Sequence, residues 1–276
     1  MSIKRVTITV KPDILKRLDR MIDKKDVRNR SHAVEQLILR GMTKTELDTV
    51  VIMAGGDGAR LRPITYEIPK PLIPIRGRPV LEHQINMLKS YDVRRIIIAT
   101  DRSEDKLREY IGNGGKFGVS IDYVVEQKPM GSLGALQLMK DSMRNTFAVL
   151  NVDTLVSMDI AEMYNFHKKE GKLATMLLAN SDNPEAFGVA RMRGSSIVEF
   201  LEKPKGATTN LINAGFYILE PGALKFIQKK KTMTADLFRQ LAKDNQLSGF
   251  VHDGAIFDVG THEGYEKAIK EWKPNF

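Results

Sequence analysis

Gly55, Gly56 and Gly58 occupy three of four consecutive positions, and Arg60 and Arg62 follow at once. Glycine lets backbone amides approach an anion closely, and successive amides make a cradle for phosphate oxygens. Arginine adds charge and a two-pronged donor geometry that suits the same oxygens. The loop therefore has the chemistry of a phosphate binder. Two familiar kinds are excluded by its surroundings. No Gly-Lys-Ser/Thr comes after it, so it is not a Walker loop, and Arg60-Leu-Arg-Pro63 stands where the helix of a dinucleotide fingerprint would begin. Other chemistries find little support. The chain has no cysteine, which removes disulfides and thiolate metal sites. The five histidines, at 32, 83, 167, 252 and 262, lack ligand spacing, and no serine–histidine pair marks a covalent nucleophile. The single tryptophan, Trp272, is expected to pack rather than react.

Something must hold that loop in place. Thr49–Ala54 reads as a buried strand leading into it. Beyond it, helical patterns at Pro79–Ser90, Ser103–Ile111 and Ser132–Met143 alternate with strand patterns at Arg95–Ala99, Ile121–Val125 and Phe147–Asn151. This rhythm predicts an α/β fold, a Rossmann-like, mainly parallel sheet flanked by helices on both faces. Past residue 172 the strands crowd together, at 173–179, 187–193, 196–201 and 212–219, and are expected to add antiparallel strands beside the main sheet. Helices near 221–230, 234–243 and 261–271 close the chain.

The longer string around the loop is more specific than the loop. Met53-Ala-Gly-Gly-Asp-Gly-Ala-Arg-Leu-Arg-Pro-Ile-Thr65, then Pro69-Lys-Pro-Leu-Ile-Pro74, then Gly77-Arg-Pro-Val-Leu81 resembles the signature of the sugar-phosphate nucleotidyltransferases. In order along the chain, further segments resemble the same family: Glu126–Leu136, Asn151-Val-Asp153, Phe187-Gly-Val189, Glu202-Lys-Pro204, Asn213–Tyr217 and Phe257–Thr261 with Tyr265. The match covers about residues 49–272. The resemblance implies an attack by a sugar 1-phosphate on the α-phosphate of a nucleoside triphosphate, with loss of pyrophosphate. By position, the Ala54–Gly58 backbone, with Gly55, Gly56 and Gly58, would cradle the triphosphate, and Gln127 and Gly131 would meet the base. Arg60 would neutralise the leaving pyrophosphate, and Lys70 would sit at the reacting phosphates. Asp153 and Asp258 would hold Mg2+, a hard cation that takes one or two carboxylates and keeps several waters. Gly188, Glu202, Lys203, Asn213 and Gly215 would serve the sugar phosphate. The loop at 129–136 with Asn213-Ala-Gly looks closest to guanylyltransferases acting on mannose-like or amino-sugar phosphates. Gln127 would equally suit thymine or uracil, which leaves dTTP or UTP with glucose 1-phosphate as the alternative.

Charge and pattern change before residue 49. The net charge is +9, and residues 1–48 hold twelve Lys or Arg against seven Asp or Glu, a net of +5 in a sixth of the chain. Such a concentration suits an anionic partner. Arg5–Val10 alternates polar and apolar like a half-buried strand. Pro12 and Asp13 open a helical pattern, and Asn29-Arg30-Ser31 opens a second, with Ser31 as a candidate cap and Gly41 as a stop. Strand, helix, helix within residues 1–44 resembles a ribbon-helix-helix module, ahead of a second domain at 49–276. The resemblance implies a two-chain ribbon with Val6, Ile8 and Val10 inward and Arg5, Thr7 and Thr9 outward, reading operator DNA in the major groove. The start of the second helix, Asn29, Arg30 and Ser31, would meet a backbone phosphate. A lone strand cannot bury its apolar face, so a homo-oligomer is expected, a dimer or a dimer of dimers. Dimerisation without DNA binding is the other reading of the module.

No apolar run approaches the ~20 residues that span a bilayer, and the start lacks a signal peptide's apolar stretch. No membrane partner and a cytoplasmic location are expected. Two functions fit these features: a working nucleotidyltransferase carrying a regulatory or dimerising module, or a transcription regulator whose enzyme-like domain senses sugar nucleotides. The intact glycine, arginine, lysine and aspartate positions favour the first.

Overall fold

The computed structural model describes residues 6–22, 27–42, 46–101, 104–128, 130–227 and 233–274. Arg5, Ser103 and Pro129 lie outside them. The chain divides into two compact units, Met1–Lys44 and Thr45–Phe276.

In the first unit, helix α1 spans Pro12–Asp19 and opens with a proline whose missing N–H costs nothing there. Helix α2 spans Arg30–Met42. Its cap is Asn29, not Ser31: the Asn29 carboxamide oxygen accepts from the His32 amide at 2.9 Å, which puts Ser31 inside the first turn. Gly41 does not stop the helix, which runs one residue past it. Arg30 forms a two-pronged bond to Asp19, at 2.6 and 2.8 Å, tying α2 to α1. Residues 6–10 pair with no strand among the described residues. Val6, Ile8 and Val10 are 79%, 51% and 41% exposed.

The second unit is built on a nine-stranded sheet. In chain order its elements are β1 (Thr49–Met53), α3 (Ile64–Glu67), the two-residue strands β2 (Pro74–Ile75) and β3 (Arg78–Pro79), α4 (Val80–Ser90), β4 (Arg95–Thr100), α5 (Glu104–Ile111) and β5 (Ser120–Val125). Then come β6 (Phe147–Asn151), β7 (Thr154–Val156), α6 (Ile160–Glu170), β8 (Ala174–Asn180), β9 (Gly188–Arg193), β10 (Ser196–Glu202) and β11 (Leu211–Leu219). The chain closes with α7 (Thr234–Lys243), β12 (Leu247–Val251), β13 (Ile256–Asp258) and α8 (His262–Glu271). The sheet order is β5-β4-β1-β6-β11-β8-β12-β10-β9. The first four strands are parallel, and β11 runs antiparallel to both β6 and β8. Strand β9 also pairs with β11 at Val189 and Ile212, so the far half of the sheet curls back on itself.

Burial on both faces explains the near-continuous apolar strands. Val50 and Ile52 of β1 join one core with α4, α5 and α6 residues, while Val51 joins the other with α7. The expected helix at 132–143 is instead a short 3-10 stretch, Gly134–Met139. Leu133, Leu136 and Met139 recur every three residues, the 3-10 period, and all three are buried. At the expected 221–230 helix, Pro221–Phe226 is likewise 3-10. Helix α6 and strands β7, β12 and β13 are additional to the expected elements. Ile160, Met163, Tyr164 and His167 carry the helical spacing that marks α6, and Asp159 caps it by accepting from the Glu162 amide at 3.0 Å.

Candidate active site

Parallel strands deliver the loops at their ends to one edge of a sheet, where open α/β folds bind ligands. β1 and β6 are neighbours in register, and each ends there. The glycine loop leaves β1, and Val152 leaves β6 with its amide bonded to the Met53 carbonyl at 3.1 Å. Two backbone devices shape the loop. Gly58 has a φ of +61°, and a Cβ on it would meet the Thr65 side chain at 2.6 Å. Thr65 in turn donates its hydroxyl to the Gly58 carbonyl at 2.8 Å. In the structure carboxylates hold the loop's amides. Gly56 N–H donates to Asp101 at 2.8 Å and Ala59 N–H to Asp57 at 3.1 Å, so two amide positions suited to anions are already engaged by anions.

Asp153 and Asp258, far apart in the chain, meet because β7 pairs with β13. Thr154 lies opposite Asp258, and the Val259 amide donates to the Asp153 carbonyl at 2.8 Å. Lys70, in a single turn begun between Pro69 and Pro71, reaches Asp153 at 3.0 Å. Arg60 stands between the two carboxylates, 3.7 Å from Asp153 and 3.5 Å from Asp258. Burial favours the neutral form of Asp153, but the Lys70 ammonium and then Arg60 outweigh it and hold its pKa below the ordinary aspartate value. Asp258 goes the other way: burial, and next the charge of Asp153, push its pKa up against its bond to the Gly260 amide and the two cations. Gly260 faces the centre of this group. A Cβ there would lie 2.9 Å from Asp153 Oδ2, Asp258 Oδ1 and Arg60 Nη2 alike, so the absence of a side chain keeps the space between them open.

The residues expected to serve the sugar phosphate lie on the neighbouring strands and just beyond them. Gly215, with a φ of +73°, sits in the irregular middle of β11 against Thr154 and Asn151, too close for any side chain. Its amide donates to the Asn213 side chain at 2.9 Å. Asn213 also donates to the Tyr217 hydroxyl at 2.8 Å. Tyr217 is fully buried, which raises its pKa, and Glu202 and Asp153 lie near enough to add to that rise. Gly188 pairs with Glu202 across β9 and β10, and a Cβ on it would press on Phe200 and on the Glu202 carboxylate. Lys203 comes next at a φ of +44°, its amide bonded to Phe187.

On the other side of the loop, Glu126 is tucked in. Its carboxylate accepts from the Met130 amide at 3.3 Å, and burial first, with the charge of Asp101 adding to it, raises its pKa. Gln127, one residue on, is exposed, and Gly131 has a φ of +92°. Ser132 ties this segment to the start of α7 through Thr234, at 2.6 and 2.7 Å. Sequence reasoning passed over Tyr217, Asp101 and Gln84. Only Tyr217 had a signal, four residues past Asn213 on the same strand. Gln84, in α4, donates to the carbonyls of Asn151, Val152 and Thr154. In the first unit Thr7, Thr9, Asn29, Arg30 and Ser31 are all exposed.

A glycine loop, two carboxylates and two cations gathered at the strand-end edge define an α/β domain built to handle phosphate. The nucleotidyl transferase model matches residues 49–274, and the chain belongs to that family. The model of ribbon-helix-helix proteins of the copG family matches residues 4–44. The chain is 34% identical over 228 residues to a probable mannose-1-phosphate guanylyltransferase 1 of Oryza sativa subsp. japonica, covering 80% of this chain and 63% of that protein. It is 35% identical over 218 residues to the mannose-1-phosphate guanyltransferase of Saccharomyces cerevisiae, covering 76% and 60%. It thus spans less than two thirds of the length of either relative. Among solved structures, a putative glucose-1-phosphate thymidylyltransferase from Bacillus anthracis, in complex with a sucrose, superposes with a TM-score of 0.76 at 30% identity, covering 80% of this chain and 94% of that one. A UDP-glucose pyrophosphorylase complexed with UDP-glucose shares the fold, with a TM-score of 0.71 at 22% identity over 81% and 97% of the chains.

Proposed function

We propose that this protein joins a nucleotide to a sugar 1-phosphate and releases pyrophosphate, with GTP and a mannose-like or amino-sugar 1-phosphate as its substrates. The observation that carries this is the convergence of Asp153, Asp258 and Arg60 on the space at Gly260, with Lys70 bound to Asp153, beside the glycine loop. The choice of GTP leans on the relatives named as guanylyltransferases; dTTP or UTP with glucose 1-phosphate is the alternative, in line with the name of the Bacillus anthracis structure.

In this reaction an oxygen of the sugar phosphate bonds to the α-phosphorus. The bond from that phosphorus to the bridging oxygen breaks, and pyrophosphate leaves with the electron pair. Both reactants are anions, so positioning and charge neutralisation supply most of the catalysis. The amides of the 55–58 loop donate to the triphosphate oxygens, displacing the Asp101 contact at Gly56. Arg60 turns from the carboxylates to the leaving pyrophosphate, and Lys70, held by its prolines, stays at the reacting phosphates. Glu202, Lys203 and Asn213 orient the sugar phosphate, and the Tyr217 hydroxyl keeps Asn213 in place.

The two carboxylates suit Mg2+. They are few, hard and adjacent, the space at Gly260 is open, and the like-charge strain on Asp258 is what a divalent cation relieves. No group of three or more His, Cys, Asp or Glu able to hold a metal occurs among the described residues, so phosphate and water oxygens would complete the shell. Bound there, Mg2+ would neutralise charge on the phosphate oxygens. With substrates of this kind the protein works in the cytoplasm, and no described helix is long and apolar enough to cross a membrane.

Incubation with a panel of triphosphates and sugar 1-phosphates plus Mg2+, with pyrophosphate as the readout, tests the reading. GTP with mannose 1-phosphate should react fastest, and chelation should stop the reaction. Asp153→Asn and Asp258→Asn should each lose at least about a hundredfold in kcat. A panel with no pyrophosphate from any pair refutes the proposal.

The first unit adds DNA binding through a ribbon made by two copies. Its support is the exposed alternation of Val6, Ile8 and Val10 with Thr7 and Thr9, in a unit matching ribbon-helix-helix proteins.

A further inference from the structure

Gln84 is a polar side chain in an apolar place. It is 2% exposed, on the α4 face that also buries Leu81, Ile85 and Leu88. Its amide nitrogen donates to three carbonyls of one short segment: Asn151 at 2.9 Å, Val152 at 3.2 Å and Thr154 at 2.8 Å. Its oxygen has no hydrogen-bond partner. A glutamine amide has two hydrogens, so the three carbonyls share them. Burying such a group is unfavourable unless its bonds do something that an apolar residue would not.

The segment it holds is the turn from β6 to β7, and the residue in the middle is Asp153. The carbonyls on either side of Asp153 go to Gln84. The carbonyl of Asp153 itself goes to the Val259 amide, next to Asp258. One side chain on α4 and one amide beyond β13 therefore account for all four carbonyls from 151 to 154. Without Gln84 three of those four carbonyls would lose this anchor, leaving the Val152 bond to Met53 and the Val259 bond to Asp153 to aim the Asp153 side chain at Lys70 and Gly260.

We infer that Gln84 is a positioning residue: by gathering the Asn151, Val152 and Thr154 carbonyls it fixes the backbone that aims Asp153 at the phosphates. The inference rests on the nucleotidyl-transfer reading for its catalytic meaning, and not for its structural content. Gln84→Met keeps the length of the side chain and removes its donor, and two measurements test the loss. In hydrogen exchange on the ligand-free protein, the Val152 and Val259 amides should exchange at least about tenfold faster, while those of Val50–Ile52 in β1 keep their protection. In pyrophosphate release, kcat should fall at least about tenfold, with the KM for sugar phosphate within about twofold of wild type. If the methionine variant does not fold, Gln84→Asn, an amide one methylene shorter, carries the same two readouts.

Unchanged exchange at Val152 and Val259 overturns the inference, whether or not the wild type is active. Uniform loss of protection, β1 included, also overturns it, because Gln84 would then be an ordinary core residue. Selective loss with unchanged kcat removes the catalytic meaning. A wild type that releases no pyrophosphate from any pair fails the functional reading alone, since the exchange comparison still decides what Gln84 holds.

Discussion

Lys70 and Arg60 are both cations beside Asp153, yet their settings differ. The Lys70 side chain is 15% exposed and its ammonium is 3.0 Å from Asp153, while the Arg60 side chain is 54% exposed and straddles two carboxylates at longer range. A cation in a water-poor setting acts through a lower effective dielectric and is worth more to a developing negative charge. Lys70 is also the larger source of the downward shift on Asp153. Lys70→Met should therefore cost about 10²- to 10³-fold in kcat, and Arg60→Met less than that, both read from initial rates of pyrophosphate release. Equal losses at the two positions would contradict the ranking. Charge, more than shape, is the property lost at Lys70, because methionine keeps a stem of similar length without the ammonium.

At the scale of elements, legibility in the sequence depended on the range of the interaction. β1, β4 and β6 are apolar on both faces and stood out, as did the residue types of the glycine loop, Lys70 and the two aspartates. β7 and β13 have three residues each, too few for a period to emerge, and their pairing joins positions about a hundred residues apart. The meeting of Asp153 with Asp258 depends on that pairing, so the residue types were readable in the sequence while their juxtaposition was not. The 133–139 stretch misled because a three-residue apolar spacing resembles the helical one over two turns. Polar contacts between elements were invisible for the same reason of range.

One such contact lies at the other end of the sheet strands. His167 of α6, 1% exposed, meets Thr175 of β8 at 2.8 Å and Glu220 after β11 at 3.3 Å, and Glu220 also takes Lys168 and Thr146. Burial lowers the His167 pKa, only partly opposed by Glu220. The unfolded chain thus binds a proton that the folded one resists. Its contribution to stability is complete above an unfolded value of about 6.5 and is lost as pH falls below it towards the folded value. The urea midpoint should hold from pH 8 to 7 and fall by pH 5.5. His167→Gln should fall less over the same interval, with a residual slope from His252, whose pKa burial also lowers. Equal slopes in the two proteins would show that this contact does not titrate.

The whole molecule sets a small basic unit ahead of a large one that contains the full set of proposed catalytic residues. A unit of 44 residues is near the size at which a chain cannot cover its own apolar surface. Val6, Ile8, Val10, Ile14, Leu37 and Ile38 are each more than 40% exposed in the single chain, and in the proposed two-copy ribbon a second copy would cover them. Ile8→Lys would place a charge in the ribbon's inner face, so sedimentation should show a lighter species than wild type. The outward face then decides between assembly and recognition. If the ribbon docks in a groove and contacts about six phosphates, affinity for duplex DNA should drop about a thousandfold between 50 and 200 mM salt. The natural probe is a fragment from upstream of the protein's own coding sequence. Thr9→Ala should weaken that fragment more than an unrelated duplex, because base contacts specify and phosphate contacts do not. Removal of residues 1–44 should abolish binding to both duplexes and leave pyrophosphate release within about twofold of the full chain. Retained binding after that deletion would move the DNA site out of the first unit. A full-length protein that binds neither duplex at 50 mM salt would reduce the module to a device for pairing two enzymes.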